Sequence, residues 1–65
     1  MSDLSPEQLF VLGIERAERD LAEMTAAIRV AEDAGHISHT EAADKRIGAL
    51  VAYREELARL RARYL

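Results

Sequence analysis

"GHISHTE", Gly35–Glu41, lies near the middle of a 65-residue chain and decides its fold. It holds both histidines, His36 and His39, three residues apart, with Glu41 two residues further on. One reading is a metal or acid–base site, and the other is the corner of a helical hairpin. Gly35 is the residue type that ends a helix in the left-handed conformation. Ser38 followed three residues later by Glu41 is the pattern of a capping box that opens the next helix, with Ile37 and Ala42 at the staple positions. A zinc site needs three or four ligands, and His-x-x-His on a helix needs both rings on one face. Here His36 belongs to the turn and His39 starts the next helix. The neighbouring acids Asp33, Glu41 and Asp44 serve helix ends and caps, and no H-E-x-x-H or E-x-x-H motif follows. The corner is the better reading.

Working back from the corner, "LSPEQL" (Leu4–Leu9) starts the first helix. Ser5 is the N-cap, Pro6 takes the first helical position, Gln8 completes a capping box, and Leu4 can staple onto Leu9. Phe10, Ile14, Ala17, Leu21, Met24, Ile28 and Ala31 then alternate by fours and threes, a coiled-coil seam for another helix. Forward from the corner, the expected apolar face is Ala43, Ile47, Leu50, Tyr53, Leu57, Leu60 and Tyr64, with Arg54 and Arg61 at its edge, stems packed and guanidiniums reaching out. Glu15/Arg19, Glu41/Lys45 and Glu55/Arg59 are spaced for ion pairs one turn apart. These patterns predict an all-α fold, one antiparallel two-helix hairpin over residues 1–65. Helix one covers about 6–34, the turn 35–38 and helix two about 39–64, each arm ~40 Å long.

Composition bounds the rest. A chain this short buries only ~60% of the surface its unfolded form exposes, and with no cysteine it has no disulfide or thiolate–metal support. The absence of cysteine suits a reducing cytoplasm. "MSDLSPEQ" lacks the pattern of a secretion signal, and "QLFVLGI" (Gln8–Ile14) is far shorter than the ~20 residues of a membrane span. A soluble, cytoplasmic product is expected, complete from its initiating Met1. Net charge is −3: Ser5–Ala34 has seven acids and three bases, His36–Leu65 four and six, and Asp3 adds the last negative charge. Opposite signs favour packing the two arms together, and the overall sign opposes nucleic-acid binding. Arg59, Arg61 and Arg63 alternate, so they spread around the helix and complement its C-terminal dipole. No carboxylate pair or Ser/Thr nucleophile stands in a catalytic motif, so no enzyme activity, cofactor, membrane or small-molecule substrate is expected.

Leu9, Val11, Leu12 and Val30 fall outside helix one's main stripe, and with Phe10 they wrap its N-terminal end in apolar surface. Such a patch marks self-association or a protein partner. The simplest closure is a homodimer of hairpins forming a four-helix bundle. The expected interface is Leu9, Phe10, Val11 and Leu12, with Leu21, Met24, Tyr53 and Leu57 as core or contact anchors.

The segment from Glu18 to Leu60 also resembles the helical segment of tail fibre assembly proteins, the chaperones of tailed bacteriophages. Arg19, Asp20, Leu21, Ile28, Asp33, Ala34, Gly35, Thr40, Glu41, Tyr53, Arg54 and Leu57 fall in that family's order within residues 15–60, about two thirds of the chain. Leu50 stands where the family often has tryptophan, and the larger N-terminal region of many members has no counterpart. The resemblance implies a virion-assembly factor acting in the host cytoplasm on the folding or trimerisation of a fibre protein. Two further readings come from other classes. One is a phage- or mobile-element-encoded inhibitor that uses Glu15, Glu18, Asp20 and Glu23 as an acidic face against a basic target. The other is a metal-dependent enzyme or sensor built on His36 and His39.

Overall fold

The computed structural model describes residues 3–65, so Met1 lies outside the described residues. Two helices, α1 (Pro6–Asp33) and α2 (His39–Tyr64), pack against each other as a hairpin, and no strand occurs among the described residues. At the start of α1 the capping box is complete. The Gln8 N–H donates to Ser5 Oγ at 3.2 Å, and the Ser5 N–H donates to Gln8 Oε1 at 2.8 Å. At its end Gly35 has φ +77°. The Gly35 N–H donates to the Glu32 carbonyl (3.0 Å) and the His36 N–H to the Ala31 carbonyl (2.9 Å), the nested pair of a Schellman motif. Ser38 then caps α2, accepting from the Glu41 N–H at 3.0 Å. The expected second capping box is only half made, because the Glu41 side chain does not return the bond to Ser38.

The α1 seam packs much as its spacing predicts. Ala17 and Ile28 are buried, Phe10, Ile14, Leu21 and Ala31 are half-buried, and Met24 is left exposed at the rim. For α2 the structure keeps Tyr53 and Leu60 of the expected face and moves the rest of the stripe by one residue. The inward stripe is Ala42, Arg46, Ala49, Tyr53, Glu56 and Leu60, with Ala42 0% and Ala49 4% exposed. Ile47 (60%) and Leu50 (51%) face solvent, as do Arg54 and Arg61, whereas Ala43, Leu57 and Tyr64 are half-buried. The physical reason is size matching. α1 supplies the bulk on its seam, so α2 must present small residues there, and two alanines a heptad apart allow close approach. At the open end the sizes reverse, and Leu60 sits on Gly13 so closely that a Cβ there would lie 2.6 Å from Leu60 Cδ2.

The resulting core is Ala17, Ile28, Ala42, Ala49 and Leu60, with no large side chain fully buried among the described residues. The Cα trace measures 49 × 23 × 9 Å, with a radius of gyration of 15.2 Å, against about 11 Å for a rounded domain of this length. A body one helix thick leaves both flat faces open.

Two glycine substitutions test this backbone. Gly35→Ala forces a Cβ into the left-handed region and should destabilise the hairpin by about 1–2 kcal/mol. Gly48→Ala, with nothing within 4 Å of the added Cβ, should stabilise it by about 0.5–1 kcal/mol through helix propensity. Urea unfolding followed by helical circular dichroism measures both, and equal effects at the two sites would contradict the assigned corner.

Candidate functional site

The corner is held by a cluster whose centre the sequence did not single out. Glu32, in the last turn of α1, is reached from α2 by two groups. Arg46 Nη2 donates to its Oε1 at 2.9 Å, and His39 Nδ1 lies 3.1 Å from its Oε2. His39 thus bonds across the turn, although its ring is largely exposed; His36 is exposed and its backbone completes the helix cap. The hydrogen bond from His39, then that from Arg46, hold the Glu32 carboxyl below the ordinary glutamate range, against a smaller opposing effect of burial. Among the described residues, no group of three or more histidine, aspartate or glutamate side chains is placed to hold a metal ion.

The three anticipated ion pairs one turn apart are not made. Arg59 instead bonds Glu56, at 3.1 Å from Nε and 2.9 Å from Nη2. Glu56 is half-buried at the seam and less hydrated than exposed Glu55, so it gains more from a partner.

The open end of the hairpin carries a shallow groove of about 500 Å³ between the helices. Leu9, Leu12, Leu21, Met24 and Tyr53, five of the predicted interface residues, line it together with Gly13 and Leu60. Arg16, Asp20, Glu56, Arg59 and Arg63 form a mixed-charge rim, and the Arg63 guanidinium stands 5.6 Å from the Tyr64 ring centroid. An apolar floor inside a polar rim is the anatomy of a small protein contact. The remaining predicted residues lie elsewhere. Phe10 is half-buried on the α1 seam, exposed Val11 does not line the groove, and Leu57 is half-buried on α2 away from it.

Sequence reasoning missed the groove's small and charged members. Gly13 breaks the apolar rhythm of α1 and was the available signal, because glycine inside a helix marks close approach. Two of the four acids proposed as one face, Glu18 and Asp20, point to different sides of α1. Asp20 lines the groove, while Glu18 lines a separate depression with Leu50 and Tyr53, as positions two apart on a helix must point to opposite sides. No helix among the described residues is long and apolar enough to cross a membrane. Compared with protein-family models, curated proteins and solved structures, the chain matches none.

The Glu32 cluster predicts a pH dependence with a definite sign. Its carboxyl is lowered from 4.5 in the fold, so the ionised form favours the folded state. That contribution is present in full above pH 4.5 and disappears as pH falls through the lower folded value. Glu32→Gln should melt below wild type at pH 7, with the gap closing as pH falls below 4.5 and through the lowered folded value. A gap that stays constant across thermal melts in this range would contradict a charged cluster.

Proposed function

We propose that this hairpin is a non-enzymatic protein–protein interaction module that closes by self-association into a four-helix bundle and presents its open end to a partner. One observation carries the reading. Among the described residues five are buried, three of them alanine, while Leu4, Leu9, Val11, Leu12, Met24, Val30, Ile47, Leu50, Val51 and Leu65 are exposed. That much apolar surface on so small a body is what contact surfaces look like, and two helices one layer thick are half of a bundle.

The most specific form of this reading is a factor resembling a phage tail fibre assembly chaperone, working in the host cytoplasm. The residues that carry the resemblance are what support it. Asp33, Ala34 and Gly35 form the corner, Leu21 and Tyr53 face each other's helix, and Asp20 and Tyr53 border the groove. In this role the Leu9–Leu12 end, with Leu12 48% exposed, receives an apolar side chain of the fibre protein.

Co-expression with a tail fibre protein from the same genome tests the proposal. Recovery of trimeric fibre should rise in the presence of the hairpin, and Leu12→Asp should remove most of that gain while leaving the helical signal unchanged. Equal trimer recovery with and without the hairpin would refute the assembly role. Binding that weakens strongly with salt and ignores Leu12→Asp would point instead to the acidic inhibitor.

A further inference from the structure

We propose that a second copy of this chain lies antiparallel along the outer stripe of α2, helix α2 on helix α2, about a two-fold axis between residues 50 and 54. This rests on the bundle reading and specifies which face closes it. The seam against α1 is not the only coiled-coil repeat on α2. Ala43, Ile47, Leu50, Arg54, Leu57 and Arg61 also follow steps of four and three, displaced from the inner stripe by one residue. One residue is about 100° around a helix, so this second seam opens onto a flat face of the hairpin, where Ile47 and Leu50 are more than half exposed. A heptad seam is a surface made for a helix, and α1 occupies only the first.

Charge selects the occupant and its direction. The first two turns of α2 hold the acids Glu41 and Asp44 beside Lys45 and an Arg46 already paired with Glu32, and its last turns hold Arg59, Arg61 and Arg63 without an acid, so the start is the more acidic end. A parallel copy would set like charges side by side, whereas an antiparallel copy sets acids against arginines and opposes the two helix dipoles. Centring the stripe on itself places Ala43 opposite Arg61, Ile47 opposite Leu57 and Leu50 opposite Arg54 of the second copy. Asp44 then neighbours the other chain's Arg61. Leu50 shares a depression with Glu18, so an Arg54 stem laid over Leu50 brings its guanidinium toward that carboxylate. Among the described residues Glu18, Asp44, Arg54 and Arg61 form no ion pair within the hairpin. The antiparallel partner satisfies all four.

Sedimentation equilibrium on the full chain tests this. Wild type should dimerise, and Leu50→Glu should raise the dimer Kd at least about tenfold, with its helical signal regained at protein concentrations above the new Kd. Asp44→Arg and Arg61→Glu should each weaken the dimer, and the double variant should restore it. A wild type that stays monomeric overturns both this inference and the bundle reading beneath it. A dimer that tolerates Leu50→Glu, or charge swaps that fail to rescue one another, overturns the antiparallel α2 interface alone and leaves the bundle to another face.

Discussion

The close fit of the small α2 residues Ala42 and Ala49 against the bulky α1 seam sets the rotation of α2, and the rest of the hairpin depends on that rotation. Glu32 takes Arg46 on one oxygen and His39 on the other. The Schellman turn at Gly35 fixes where the chain reverses, but a turn alone leaves α2 free to choose which stripe it shows to α1. With Ala42 and Ala49 as the contact, Arg46 lies on the same side and reaches Glu32. The stripe one residue over, with Ile47 and Leu50, is carried outward by the same rotation. An apolar stripe is thus exposed because a polar contact and two alanines pack better against the bulky α1 seam.

That arrangement limits what the hairpin can contribute alone. Fully burying a leucine or isoleucine side chain contributes about 1.5–3 kcal/mol, and among the larger described residues only Ile28 and Leu60 come close to it. Ordering each residue's backbone costs about 1–2 kcal/mol. Good caps, at Ser5 above all, and strong helix formers reduce the deficit without removing it. Helices of this length with so small a common core gain stability from whatever covers their remaining apolar faces. The open-end groove and the α2 stripe lie on different parts of the surface, so the proposed second copy would leave the groove free.

The fold was legible because its punctuation is local. Ser5, Pro6 and Gln8, then Gly35 and Ser38, act through backbone bonds within a few residues, and sequence patterns encode such bonds directly. The phase of α2 was not legible, because it follows from tertiary terms. A count of apolar residues favours Ile47 and Leu50 over Ala42 and Ala49, yet small residues win where a bulky helix must come close. Glu32 was overlooked for a similar reason: its partners lie seven and fourteen residues away across the turn, outside any one-turn spacing. The groove was half visible. Its leucines stood out from the periodic stripe, but its floor needs Gly13 from one arm and Leu60 from the other, and only folding brings them together.

If the hairpin is half of a bundle, folding and association are one equilibrium, and stability must depend on protein concentration. Thermal unfolding followed by helical circular dichroism over a hundredfold concentration range measures this coupling directly. The midpoint should rise steadily with concentration. A midpoint that does not move, from a chain that melts cooperatively at every concentration, would show that the hairpin is stable by itself and contradict the central claim.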